Sequence, residues 1–185
     1  MDVEQIILGC KSGDRRCQEA LVHNFAPRLL AVCRRYCNDA CLAEDALQET
    51  FVNTFKYIHT YSGKGSFEGW LRRIAVTKSI ELNQKFYKIP IYSMDAGPYL
   101  EESVIPDVYS LIGEQEVMLY LDKLPKNQYI VFNLYVVEGY SHQEIAEILS
   151  MAEGSSRALL SRARTALVSM LKQENISIHY PMAHT

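Results

Sequence analysis

Residues 139–170 read GYSHQEIAEILSMAEGSSRALLSRARTALVSM, and this stretch decides the class of fold. Ser141 and Glu144 have the S-x-x-E spacing of a capping box, which predicts that a helix covers residues 142–149. After a short break, apolar residues return at helical spacing and predict a last helix over about 155–172. A short capped helix, a break and a longer helix have the proportions of a helix-turn-helix.

The predicted last helix has two different faces. Its packing face holds Ser156, Leu159, Leu160, Ala163, Ala166, Leu167 and Met170. Its opposite face holds Arg157, Ser161, Arg162, Arg164 and Thr165. A basic, hydroxyl-rich helix can enter a major groove and reach phosphates and base edges. The alternative is a solvated basic face on an ordinary surface helix.

The rest of the chain is also predicted to be helical, because strand signals are scarce and 3.6-residue periodicity is common. We therefore predict an all-α fold. A second helix ends near residue 37, with Pro27 as a kink or junction, and Ser66 is the expected N-cap of another. The further predicted helices cover about residues 2–10, 40–60, 66–86, 114–123 and 126–137.

The predicted helix over residues 40–60 has an apolar stripe opposite an acidic face. The stripe holds Ala43, Ala46, Leu47, Thr50, Phe51, Thr54, Phe55 and Ile58. On the other side, Glu44 and Gln48 are four apart, and so are Asp45 and Glu49. This face is either a solvated acidic first turn or a docking surface for a basic helical partner.

Residues 61–88 combine six basic side chains with only two acidic ones, and aromatic residues lie between them. This mixture suits single-stranded nucleic acid, whose phosphates and unstacked bases it can contact. The alternative is that Phe67 and Trp70 belong to the core stripe of the helix. The loop 61–66 and the face of Arg73 and Thr77 are then the better candidates for contact.

The distribution of charge divides the chain. Residues 1–88 are mildly basic, whereas residues 89–122 carry seven acidic side chains and no Lys or Arg. Prolines at 90, 98 and 106 exclude a long helix there. We predict two small helical domains, an acidic linker and a tail. Their expected bounds are 1–88, 89–112, 113–173 and 174–185.

Composition excludes several classes of protein. The chain has 185 residues and a net charge of −3, so bulk positive charge does not drive it onto nucleic acid. No apolar run reaches the length of a membrane span, the N-terminus is acidic, and five cysteines form no secreted disulfide framework. We expect a cytoplasmic protein that inserts in no membrane.

No motif for an enzyme or a cofactor is present, and we predict neither. The phosphate-binding loop, the dinucleotide fingerprint and the nucleophile elbow are all missing from the sequence. Cys33, Cys37 and Cys41 share a helix face, and Cys10 and Cys17 lie upstream. Without a C-x2-C knuckle we expect buried apolar cysteines and no metal.

Five segments, taken in order, resemble a known family. They are EDALQETF (44–51), GSFEGWLRRIA (65–75), LP (124–125), GYSHQEIAEIL (139–149) and SRAR (161–164). Together they make the chain similar to an extracytoplasmic-function (ECF) sigma factor of bacterial RNA polymerase, over about residues 2–172. The resemblance implies a promoter-specificity subunit whose partners are core polymerase, promoter DNA and an anti-sigma factor.

The resemblance also implies a role for each surface. By the resemblance, the residues that dock on the clamp of the polymerase β′ subunit are Glu44, Asp45, Gln48 and Glu49. The residues that contact DNA and open the −10 element are Tyr61, Lys64, Ser66, Arg73, Thr77 and Lys78. The second domain sits on the β flap and reads the −35 element with Ser155, Ser156, Arg157, Ser161, Arg162 and Arg164. The acidic linker threads polymerase channels as a mimic of nucleic-acid charge.

Several positions depart from the family pattern, and three of them bear on promoter reading. Thr77 stands where the family usually has Asn, Ser156 puts a hydroxyl at an apolar position, and Leu159 replaces an Arg. These departures leave one alternative in another class: a sigma-like interaction protein that binds polymerase or a regulator without reading promoters. An ordinary helix-turn-helix repressor leaves the acidic helix and the segment with the tryptophan unexplained.

Overall fold

The computed structural model describes residues 2–87 and 119–173. The described residues form helices joined by short loops, without a strand, and the chain separates into two compact units, residues 1–90 and 91–185. The all-α prediction is confirmed. The predicted linker, the predicted tail and the start of the helix expected at 114–123 lie outside the described residues, and the domain bounds stay predictions.

The first unit begins with two helices joined by a tight turn. Helix α1 covers Val3–Lys11 and is capped by Asp2, and helix α2 covers Arg15–Tyr36 and is capped by Asp14. Helix α2 continues through Pro27 without the predicted junction. Pro27 is exposed, so the carbonyl that loses its amide partner lies on the solvent side of the helix.

Helix α3 covers Ala40–Tyr57, and a 3₁₀ turn over Ile58–Thr60 follows it. The Asp39 carboxylate accepts a 2.8 Å hydrogen bond from the Leu42 amide and fixes the start of the helix. The predicted apolar stripe faces the core, with Leu47 and Phe55 half-buried at its margins and the other members buried. Buried Thr50 donates to the Ala46 carbonyl at 2.6 Å, which satisfies its hydroxyl.

Helix α4 covers Phe67–Tyr87 and completes the unit by packing on α2 and α3. Ser66 precedes it as predicted: its hydroxyl accepts a 3.0 Å hydrogen bond from the Gly69 amide. Leu71, Ala75, Val76 and Ile80 are buried in the shared core. The loop 61–66 is thereby held between two packed helices.

The second unit holds the predicted helix-turn-helix. Helix α5 covers Lys126–Phe132 and continues as a π-helical turn over Asn133–Val137, where a regular helix was predicted. Helix α6 covers His142–Leu149, and both hydrogen bonds of the predicted capping box are present. Helix α7 covers Glu153–Gln173 and so starts two residues before the predicted position.

Left-handed backbone at Ser150, with φ of 52°, makes the tight turn between α6 and α7. Beyond it, Leu159, Leu160, Ala163 and Leu167 pack α7 into the core of the unit, which confirms the predicted packing face. No helix among the described residues is long and apolar enough to span a membrane. The described residues also contain no cluster of His, Cys, Asp or Glu suited to a metal ion.

Candidate protein-docking and nucleic-acid interfaces

The acidic face of α3 projects from the first unit. Glu44, Asp45, Gln48 and Glu49 are all exposed, on the side opposite the buried stripe. None of the three carboxylates has an ion-pair partner among the described residues. The face therefore presents negative charge that the described part of the chain does not neutralise.

An exposed apolar side chain lies on the same face. Val52 is 59% exposed, one turn beyond Gln48 and Glu49. Sequence reasoning did not select it, although its position outside the apolar stripe was a visible signal. An apolar side chain with a polar rim around it is an arrangement that a docking partner can bury.

The loop 61–66 is held by two hydrogen bonds. The Lys11 ammonium donates a 2.9 Å hydrogen bond to the Tyr61 carbonyl, and the Tyr61 hydroxyl donates a 2.8 Å bond to the Gly65 carbonyl. Gly63 and Gly65 have φ near +80°, a conformation that side-chain-bearing residues rarely adopt. Lys64, between them, is exposed.

An aromatic cluster lies behind this loop. The Tyr61 ring centroid is 5.1 Å from that of Phe67 and 5.6 Å from that of Trp70, and Phe67 and Trp70 stack at 5.7 Å. Phe67 also meets Phe25 of α2 edge-on. Phe67 is buried, as a core residue should be, whereas Trp70 is only half-buried. The core interpretation is therefore confirmed for Phe67, and part of Trp70 remains open to a ligand.

The remaining predicted −10 residues lie along α4. Arg73 is exposed, and Thr77 is half-buried with its hydroxyl donating to the Arg73 carbonyl at 2.9 Å. Lys78 pairs with Glu81 at 2.6 Å, so part of its charge is neutralised. Together with Lys64, Arg73 gives this side of the unit its exposed positive charge.

Helix α7 presents its predicted basic face in part. Arg157 is exposed and pairs with Glu153 at 2.5 Å, whereas Ser155, Ser161, Arg162 and Arg164 are half-buried. Leu159 is buried, as expected from its place on the packing face. The exposed parts of these side chains form one polar surface of the second unit.

The prediction that Ser156 contacts DNA is wrong. Its side chain is 0% exposed, and its hydroxyl lies 2.9 Å from Nδ1 of His142, which is itself 8% exposed. A hydroxyl sealed inside the unit cannot reach a base or a phosphate. The pair instead satisfies two polar groups that would otherwise be costly to bury.

Tyr135, which sequence reasoning missed, supports this pair together with Arg164 of the predicted basic face. The Tyr135 ring stacks on His142 at 4.5 Å, and the Arg164 guanidinium lies 5.8 Å from the Tyr135 ring centroid. The stack connects the π-helical turn, the start of α6 and the basic helix α7. The hydroxyl of Ser156 on an apolar face was the signal that a buried polar partner was needed.

The cysteines are mostly core residues. Cys10, Cys17, Cys33 and Cys37 are buried, as predicted, but Cys41 is exposed. Cys41 lies in the first turn of α3, on its exposed side. Burial raises the pKa of Cys10 to about 11, with Cys17 and Asp14 adding to the effect, and burial also raises the pKa of Cys33. These buried thiols are poor nucleophiles.

Comparison with known proteins matches two segments of the chain to family models. Residues 21–82 match the family Sigma-70 region 2, and residues 114–167 match Sigma-70, region 4. The RNA polymerase sigma-H factor of Pseudomonas aeruginosa is 26% identical over 91% of this chain and 93% of its own length. The ECF RNA polymerase sigma factor SigW of Bacillus subtilis is 27% identical over 93% of this chain and 98% of its own.

A solved structure supports the fold. The sigma factor RpoE of Bartonella quintana, in complex with the anti-sigma factor NepR, has a TM-score of 0.50 and 21% identity, over 83% of this chain and 96% of that one. The chain belongs to the sigma-70 family, in its extracytoplasmic-function group. It is a sigma factor that binds core RNA polymerase and directs transcription initiation at promoters.

Proposed function

We propose that the acidic face of α3 is the surface that binds core polymerase. Glu44, Asp45, Gln48 and Glu49 supply exposed charge and polarity, and Val52 supplies the apolar centre. The observation that carries this assignment is the absence of an ion-pair partner for the three carboxylates among the described residues. A basic helical partner, such as the β′ clamp, neutralises this charge on docking.

We propose that the loop 61–66 and α4 open the −10 element. The exposed cations Lys64 and Arg73 follow the phosphates of the separated strand, and Ser66 and Thr77 lie beside them. Half-buried Trp70 offers part of a ring against which an unstacked base can lie. Extruding a base costs a few kcal/mol, so a loop that is already ordered lowers the barrier to opening.

We propose that α7 reads the −35 element. Arg157, Arg162 and Arg164 provide charge for phosphates and bidentate donors for guanine, and Ser155 and Ser161 provide hydroxyls. Ser156 is excluded from this set by its burial and instead positions the helix through His142. Tyr135 limits the directions that the Arg164 side chain can take.

The charge of the whole chain fits this division of labour. The net charge of −3 gives weak DNA affinity to the free chain, and polymerase brings both DNA-reading surfaces to one promoter. The seven acidic side chains of residues 89–122 then occupy channels that otherwise hold nucleic acid. We place the protein in the cytoplasm, without enzymatic activity of its own.

We also propose an anti-sigma factor as a partner. The structurally similar RpoE of Bartonella quintana was solved in complex with the anti-sigma factor NepR. In this chain the docking face of α3 is exposed and apolar at Val52, so a protein that covers it competes with polymerase.

Two pairs of substitutions test the assignment. Gln48→Ala with Glu49→Ala should lower affinity for core polymerase, and Glu4→Gln, an exposed carboxylate on α1, is the matched control. Arg157→Ala with Arg162→Ala should weaken initiation at promoters that depend on a −35 element while core binding stays intact.

Each substituted pair is assayed for co-elution with core polymerase and for transcription on the same promoter. Loss of both activities in both pairs would refute the separation of the surfaces. Intact co-elution with full transcription after the α3 substitutions would refute the docking face. Binding of core without chain-dependent transcripts from any promoter would favour the interaction-protein alternative.

A further inference from the structure

A lysine outside the residues matched to region 2 holds the base of the loop 61–66. Lys11 is the last residue of α1, and its ammonium donates to the Tyr61 carbonyl at 2.9 Å across 50 residues of sequence. Ile6 and Cys10 bury α1 against its neighbours, so the backbone that carries Lys11 is fixed. The region 2 match begins at residue 21, so it assigns nothing to this helix.

Tyr61 is half-buried, and its carbonyl, its ring and its hydroxyl all have partners within the unit. Its carbonyl accepts from Lys11, its ring packs on Phe67 and Trp70, and its hydroxyl donates to the Gly65 carbonyl. A residue held in this way is poorly placed to follow a flexible strand. The bond from Tyr61 to Gly65 instead closes the loop on itself.

The two hydrogen bonds of Tyr61 restrict a loop whose backbone would otherwise be flexible. Gly63 and Gly65 adopt left-handed backbone and have wide conformational freedom when unconstrained. Without the two hydrogen bonds of Tyr61, the loop must order itself each time it receives an unpaired base, and that entropy adds to the barrier. With them, Lys64 and Ser66 are presented in one arrangement before DNA arrives.

We propose that Lys11 and Tyr61 form a clamp that preorganises the loop 61–66, so that both are positioning residues for promoter opening. The inference rests on the proposed role of this loop at the −10 element. It moves Tyr61 from the set of DNA-contacting residues to the set that shapes the surface. It also gives α1 a part in promoter opening.

The experiment compares Lys11→Gln and Tyr61→Phe with the unchanged chain, each bound to core polymerase. Closed-complex affinity and the rate constant of strand opening are measured separately, using a fluorescent base analogue in the −10 non-template strand. Each variant should slow opening about three- to tenfold, because one hydrogen bond that orders the loop is lost. Closed-complex affinity and binding to core should not change.

Three controls separate positioning from charge and from misfolding. Arg16→Gln removes an exposed charge near the start of α2 and should leave the opening rate unchanged. Lys11→Arg keeps a donor of similar reach and should restore most of the rate. A promoter with a pre-melted −10 segment should reduce the defect of both variants to less than twofold, because the loop no longer has to capture the first base.

The proposal is overturned by unchanged opening rates in both variants, or by an equal loss for Arg16→Gln. A loss confined to closed-complex affinity would assign Lys11 and Tyr61 to direct DNA contact instead. If the unchanged chain forms an open complex on neither duplex nor pre-melted promoter DNA, the proposed role of the loop at the −10 element is itself refuted. That result differs from a defect limited to the variants.

Discussion

Removing the hydroxyl of Ser156 should destabilise the second unit and leave the first unchanged. Ser156 is fully buried and bonds to His142 Nδ1 at 2.9 Å, and His142 is almost fully buried under Tyr135. Ser156→Ala leaves one ring nitrogen of His142 in an apolar space without this partner. The helix α7 then loses a side-chain hydrogen bond that joins it to α6.

The magnitude follows from the cost of burying an unsatisfied polar group. Truncation that leaves such a group unpaired costs about 1–3 kcal/mol. For a domain of this size, each kcal/mol lowers the melting midpoint by about 4–8 °C. His142→Phe combined with Ser156→Ala removes both polar partners and keeps a ring against Tyr135, so the double variant should recover about 1 kcal/mol or more relative to the sum of the singles.

The assay reads the two units separately. Trp70 is the single tryptophan and lies in the first unit, so its fluorescence follows that unit, whereas circular dichroism follows both. Ser156→Ala should lower the dichroism transition of the second unit without moving the fluorescence transition. An unchanged dichroism transition in Ser156→Ala, or additive effects of Ser156→Ala and His142→Phe in the double variant, would refute the reasoning.

Three further predictions concern the first unit. Burial raises the pKa of Cys10 from 9.0 to about 11, so the unfolded chain ionises this thiol at a lower pH than the folded chain does. The stability of the first unit should therefore fall as the pH rises from about 9 to 11. Cys10→Ala should flatten this part of the pH dependence, measured by denaturant unfolding. Cys41 is the exposed cysteine, so a thiol reagent followed by mass spectrometry should label it first, and equal labelling of a buried thiol would contradict the burial. Val52→Ala should weaken binding to core polymerase about fivefold in an equilibrium competition assay, whereas Val3→Ala, at an exposed position on α1, should not; equal effects would contradict a specific docking role.

Features that depend on local sequence were predictable. The capping box of Ser141 and Glu144, the cap at Ser66 and the buried stripe of α3 each depend on spacings of three or four residues. Leu159 was assigned to the packing face by the same periodicity, and it is buried. Helical periodicity fixes which side of a helix faces the core, so these assignments need no knowledge of tertiary structure.

Features that depend on how helices cross were not predictable. The bond of Ser156 to His142 spans 14 residues, and the bond of Lys11 to Tyr61 spans 50. Either contact requires the relative placement of two helices, which one sequence does not supply. The burial of Ser156 overturned its assignment to DNA for this reason, although its place on the apolar face pointed inward.

Transcription by core RNA polymerase on fragmented genomic DNA of the source bacterium, with and without this chain, tests the central claim most directly. The account predicts new 5′ ends that require the chain and share two upstream sequence elements. Arg157→Ala with Arg162→Ala should remove the transcripts that depend on the −35 element, while the chain still binds core polymerase. Absence of chain-dependent transcripts, in a reaction where the chain co-elutes with core polymerase, would contradict the account.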